Sequence, residues 1–146
     1  MQIRKMTIAD YDGVYSLWIN TQGMGLNTVD DSKGGVEKYL LRNPDTCFVA
    51  EKDGEIIGVI LSGHDGRRGY IYHLAVKMCE RKQGIGNALL ESAMKALENV
   101  GINKVALVVF DKNKIGNEFW ESQGFTIRGD LVYRNKSIIE FERIST

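Results

Sequence analysis

The chain has 146 residues, of which 43% are hydrophobic, 26% charged and 9% aromatic. That suits one globular domain, leaves no room for two full-sized cores, and is too rich in apolar side chains for a disordered chain. Nineteen Lys and Arg balance nineteen Asp and Glu. A partner held by bulk charge, such as nucleic acid or an anionic membrane, is therefore disfavoured, although a local basic pocket is not.

Residues 2–6 read as a first strand, and Thr7-Ile8-Ala9-Asp10 opens a helix with Thr7 as N-cap. Ile8, Tyr11, Val14, Tyr15, Trp18 and Ile19 make its apolar face, and Gly23-Met24-Gly25 ends it. Gly23 to Asp31 has no period and reads as a loop. Val36, Tyr39, Leu40 and Leu41 suggest a second helix, stopped by Asn43-Pro44-Asp45. The period then changes. Residues 47–51 and 56–61 read as strands joined through Asp53-Gly54, and Tyr70 to Val76 as the third strand of that meander.

A long helix runs from about Gly84 to Val100, with Gly101 just past its end. Residues 105–110 are apolar on both faces and read as a central strand. Asn113 to Gln123 is a helix closed by Gly124, and residues 125–128 and 137–142 are expected to supply the last two strands. The order is β-α-α-β-β-β-α-β-α-β-β, an α/β chain with a mixed sheet and helices on its faces.

Cys47 and Cys79 sit in or beside apolar runs with no metal-ligand spacing, and read as reduced, structural thiols of a cytoplasmic protein. No metal site is expected. The N-terminus lacks the apolar stretch of a signal peptide, and no run approaches a membrane span.

Sixteen glycines stand against one proline, Pro44. The most informative pair lies in Arg81-Lys82-Gln83-Gly84-Ile85-Gly86-Asn87, between the third meander strand and the long helix. Two glycines at a helix start let backbone amides converge where the helix dipole favours an anion, and Arg81 and Lys82 add charge. This suits a pyrophosphate. A dinucleotide fingerprint would need a third glycine where Leu89 stands, and a Walker loop would need Gly-Lys-Ser or Gly-Lys-Thr, so NAD and ATP both fail on residues.

Arg81-x-x-Gly84-x-Gly86 after a Leu-Ala-Val strand resembles the coenzyme-A signature of the GNAT N-acetyltransferase superfamily. Asn113-x-x-Gly116-x-x-Phe119-Trp120-Glu121-x-x-Gly124-Phe125 is similar to that family's second signature. The turn at 63–69, with residues 84–90, further resembles a small bacterial subgroup of YpeA type. The resemblance implies a single GNAT domain over residues 1–146, with acetyl-CoA as acyl donor and a primary amine, of a small molecule or a protein, as acceptor.

The resemblance also implies roles. The pantetheine arm would run along Leu74, Ala75 and Val76, in a gap beside the 105–110 strand. The pyrophosphate would rest on Gln83, Gly84, Ile85, Gly86 and Asn87, beside Arg81 and Lys82. Asn113 would bond the arm, with Gly116, Phe119 and Trp120 along it. The Leu74 amide would stabilise the oxyanion. Trp120 stands where the family commonly has the Tyr that protonates the leaving thiolate, and an indole N–H is too weak an acid for that. A different class of function, a non-catalytic acyl-CoA sensor on the same scaffold, draws its support from this departure.

Tyr70 and Tyr72 share a strand face near the expected thioester and are candidates for acid–base or water-holding work, or core aromatics. His73 has the better pKa for a base but should point to the opposite face, packed or exposed. Trp18 and Met24 are core residues or line the acceptor site. Asp30, Asp31 and Glu37 either attract a cationic amine or are solvated. No catalytic role is expected for His64, and none can be built for Cys79 without a partner base. A homodimer is compatible with the sequence, which identifies neither the acceptor nor the base.

Overall fold

The computed structural model describes all 146 residues, Met1–Thr146. Strand β1 is Gln2–Lys5, and a short 3-10 turn (Ile8–Asp10) leads into helix α1 (Tyr11–Ile19). Asp10 holds this entry: its carboxylate accepts from the Thr7 amide at 2.9 Å and from the Arg4 guanidinium at 2.8 and 2.9 Å. A two-residue strand β2 (Leu26–Asn27) interrupts the following loop, and helix α2 spans Lys33–Arg42. The meander is β3 (Phe48–Lys52), β4 (Glu55–His64) and β5 (Gly69–Val76). Helix α3 (Ile85–Asn99), strand β6 (Val105–Leu107), helix α4 (Lys114–Ser122) and strand β7 (Arg143–Ile144) complete the chain.

The main sheet has the order β1-β3-β4-β5-β6, antiparallel except for the parallel pair β5–β6. Its two faces carry separate cores, which is why β4 is buried over most of its length. One core packs Val14, Leu17 and Trp18 of α1 and Val36 and Leu40 of α2 against Val49, Val59, Leu61 and Ala75. The other packs Ile85, Leu89, Leu90 and Ala93 of α3 against Ala50, Ile57, Ile60 and Ile71. No helix is long and apolar enough to cross a membrane.

The mixed α/β fold is the expected one, but two details of the terminal third differ. The strand expected at 105–110 ends at Leu107, and neither 125–128 nor 137–142 is a strand. The last residues instead run beside β2: Leu26 pairs with Ile144, Asn27 with Arg143, and the Thr28 amide donates to the Glu142 carbonyl at 2.9 Å. Ile127, Leu131, Val132, Tyr133, Ile138 and Ile139 are exposed, Ile138 to 98%. An apolar run has strand propensity, yet a strand also needs an edge to pair with, and a local pattern does not specify one.

Gly63, near the end of β4, shows how tightly the α2 side is packed. A Cβ there would stand 2.4 Å from Tyr39 Oη and 2.6 Å from Asn43 Cγ. Asn43 is itself buried and accepts from the His64 amide at 3.1 Å. Gly63→Ala is expected to cost about 1–3 kcal/mol through overpacking, read as a lowered urea midpoint with an unchanged slope.

Candidate active site

Strands β5 and β6 pair only over Gly69–Val105, Tyr70–Ala106 and Ile71–Leu107. Beyond Ile71 they part, leaving one side of β5 open from Tyr72 to Val76. Which backbone groups face this gap follows from the antiparallel ladder on the other side. The Lys77 amide donates to the Ile57 carbonyl at 2.8 Å, and the pairs Val76–Gly58, Ala75–Val59 and Leu74–Ile60 follow in register. Bonded and non-bonded pairs alternate, so the N–H and C=O of Leu74 and Val76 turn away from β4 into the gap. Arg81 Nε donates to the Val76 carbonyl from that side at 3.2 Å.

The gap leads to the start of α3. Gly84, its N-cap, has φ +80°, and Lys82 just before it has φ +64°. The first bond within the helix runs from the Ala88 amide to the Gly84 carbonyl at 3.0 Å, and no side chain caps the helix. The amides of Ile85, Gly86 and Asn87 are therefore left without helical partners. The contrast with α2 and α4 is direct. Ser32 Oγ accepts from the Gly35 amide at 3.0 Å, and Asn113 Oδ1 from the Gly116 amide at 2.9 Å.

The two glycines have different reasons. Gly84 is required by its left-handed backbone. Gly86 is helical, and a Cβ there would meet Phe119 at 3.5 Å, an ordinary contact. Packing within the chain does not demand glycine at 86, whereas close approach of a ligand to its backbone would. Arg81, Lys82, Gln83 and Gly84 are all exposed around this point. The unpaired amides, the dipole and two cations fit a pyrophosphate group.

The other residues expected along the pantetheine arm lie at the start of α4 and within it. Gly116 makes room for the Asn113 cap, since a Cβ would sit 2.6 Å from Asn113 Nδ2. Asn113 Oδ1 is engaged once, and the Nδ2 donors have no partner within the chain. Phe119 and Trp120 pack edge to face, with ring centres 5.0 Å apart, and both abut the α3-side core. Trp120 also meets Phe125 at 5.2 Å.

On the opposite face of the sheet lies a cavity of about 980 Å3 between α2 and β5, whose walls include Asp30, Asp31, Glu37, Tyr39, Tyr72 and His73. Tyr70 and Tyr72 do share a face, with ring centres 4.6 Å apart, and Tyr39 meets Tyr72 at 5.6 Å. The expectation for His73 is corrected. Leu61 pairs with His73 but Ser62 with Ile71, so Tyr72 is a bulge residue with no opposite number. The bulge resets the alternation. Ile71 enters the α3-side core, while His73 joins Tyr72 on the cavity side, edge-on to Trp18 at 4.9 Å. Its Nε2 lies 2.8 Å from Asp31 Oδ1, and both residues are buried.

Trp18 and Met24 belong to the α1-side core. His64 Nδ1 accepts from the Gly66 amide within its turn. The cysteines are free: Cys79 is exposed, and burial pushes the Cys47 thiol up to about 12. Tyr39, on a helix that sequence periodicity already shows, is one of the cavity residues that sequence reasoning passed over. Its only signal is its place on the apolar face of α2.

The acetyltransferase (GNAT) family model matches residues 11–125, most of the chain. The chain belongs to this family. The acetyltransferase SG1711 of Sodalis glossinidius is 32% identical over 140 residues, spanning 96% of this chain and 97% of that protein. Among solved structures, Ard1 from Thermoplasma volcanium is similar with a TM-score of 0.76 at 21% identity, over 87% of this chain and 83% of that one. The PaiA N-acetyltransferase from Thermoplasma acidophilum, solved in complex with coenzyme A, is similar with a TM-score of 0.75 at 20% identity, over 87% and 90%. The split sheet and uncapped helix start are thus features of a GNAT acetyltransferase.

In this acetyltransferase the two tyrosines are poor bases near neutrality. Burial, then the neighbouring Tyr133 and Tyr72, pushes the Tyr70 phenol up to about 12, and burial with Asp30 and Tyr133 raises Tyr72. Both therefore stay protonated near neutrality. A phenol whose pKa is higher folded than unfolded costs stability as the pH climbs between the two values. Unfolding free energy is therefore expected to fall from the ordinary phenol value near 10 to about 12. Tyr70→Phe should flatten part of that fall in denaturant titrations at pH 9 to 12.

Proposed function

We propose that this acetyltransferase moves the acetyl group of acetyl-CoA to a primary amine by direct attack. The parting of β5 and β6 beside an uncapped helix start carries the reading, because it aims backbone donors at one channel from both ends. In this reading the amides of Gln83, Gly84, Ile85, Gly86 and Asn87 hold the pyrophosphate. Arg81 exchanges the Val76 carbonyl for phosphate, which frees that carbonyl for the pantetheine arm, and Lys82 adds charge. Leu74, Ala75 and Val76 run along the arm. Asn113 reaches it through Nδ2, and Gly116, Phe119 and Trp120 flank it.

The amine enters from the α2-side cavity and attacks the thioester carbon. A carbon–nitrogen bond forms and the carbon–sulfur bond breaks. The amine gives up a proton and the departing sulfur gains one. The Leu74 amide, free on the gap side, donates to the oxygen as charge develops there. Trp120 cannot protonate the sulfur. Tyr70 and Tyr72 stand on the amine's side as neutral phenols whose oxygens accept from its N–H and leave its lone pair free for attack, so its proton leaves through water in the cavity.

Two measurements test this together. Acetyl-CoA at a hundred times its Kd should add about 2.7 kcal/mol, on the order of 5–10 °C in Tm for a domain of this size. Gly86→Asp should abolish that shift by placing a carboxylate against phosphate while leaving the unliganded Tm within about 3 °C, as its Cβ is accommodated. Thiol release from acetyl-CoA should rise at least tenfold with one member of a panel of small amines and free peptide N-termini. Absence of a thermal shift would sink the acetyl-CoA reading, and release no faster than hydrolysis with every amine would sink the transfer.

A further inference from the structure

The Asp31–His73 contact is unusual for its place. Asp31 is 4% and His73 8% exposed, and they stand in a region otherwise packed with Trp18, Val36 and Leu61. A buried polar pair of this kind seldom stabilises a fold more than apolar residues of the same shape would, so its presence points to geometry. Three contacts fix Asp31. Oδ1 meets His73 Nε2 at 2.8 Å, Oδ2 accepts from the Asn27 amide at 2.8 Å, and its carbonyl accepts from Tyr11 Oη at 2.7 Å. One residue on, Ser32 caps α2. Asp31 thus organises the segment that forms the cavity wall opposite β5.

His73 sits between the two residues of β5 on which the transfer depends. Before it is the bulged Tyr72, 56% exposed at the cavity. After it is Leu74, whose amide faces the gap. A bulge residue has no cross-strand partner, so the ladder does not hold Tyr72 in place. The ladder holds His73 through its pair with Leu61, and the His73 ring, between Asp31 and the edge of Trp18, ties the strand at that point to the facing wall.

We infer that Asp31 is a positioning residue which, through His73, locks the acceptor wall to the bulged strand and so sets the Leu74 amide and Tyr72 relative to the incoming amine. This rests on the transfer reading given above. Three variants test it: Asp31→Asn, which keeps the size but loses one of the two carboxylate acceptors; His73→Phe, which keeps the ring and loses the bond; and His73→Gln, whose amide N–H stands near the position of Nε2–H and takes up no proton.

With the best probe amine of the panel, kcat/KM should fall at least tenfold in Asp31→Asn and His73→Phe, while the Kd for coenzyme A stays within twofold. His73→Gln should recover to within threefold of the parent with the same pH profile. In amide NMR spectra with coenzyme A present, Asp31→Asn should shift Tyr72 and Leu74 and leave Ile85, Gly86 and Asn87 in place. Three results overturn the inference: an equal loss of coenzyme A affinity, which marks a merely structural role; His73→Gln as slow as His73→Phe, which marks proton chemistry at the imidazole; or a Leu74 amide unmoved in Asp31→Asn. If no amine is acetylated, the transfer reading fails, and the Leu74 amide still decides whether the tie exists.

Discussion

Strand β5 must satisfy its backbone groups, and it does so on one side only. Against β4 it is paired from end to end except at the Tyr72 bulge, whereas against β6 it is paired for three residues. Buried N–H and C=O groups left unpaired are costly, so the stretch past Ile71 is stable as a channel wall and would be unstable as a sealed core. The same constraint recurs at α3, where three amides lie beyond the reach of any helical carbonyl and no side chain caps them. Arg81 spans the two, its guanidinium resting on the Val76 carbonyl.

The sheet divides the work between its faces. On the α3 side an apolar core carries the helix whose start is uncapped, so that start is held by the burial of Ile85, Leu89 and Leu90. On the other side, α1 and α2 enclose a second core that opens into the cavity beside Tyr72. Strands β3, β4 and β5 all contribute to both cores, but β5 also carries a free backbone edge past Ile71 that faces the gap.

Polar contacts in this chain act mainly as anchors. Asp10, Ser32, Asn43 and Asn113 each tie a loop to an element through backbone groups. Asp31 does so too, and in addition reaches a side chain 42 residues away. The raised phenols of Tyr70 and Tyr72 follow from the same enclosure, which disfavours the phenolate.

Much was legible in the residues alone. Helical spacing located α1, α2, α3 and α4, and the Asp53-Gly54 turn located the β3–β4 hairpin, because these depend on neighbours within a few positions. The Gly84–Gly86 pair was a weak signal alone, because glycines before a helix also serve packing, and it gained weight only with the second motif from Asn113 to Phe125. Where strands end and which face a side chain takes depend instead on a partner strand far away in sequence. The residues at 125–128 and 137–142 have the composition of strands and no edge, and His73 changes face because β4 leaves Tyr72 unpaired. Local pattern thus determined the family and the helices. Only the tertiary structure decided the bulge, the Asp31–His73 contact and the cavity beside Tyr72, because register is a property of two strands and never of one.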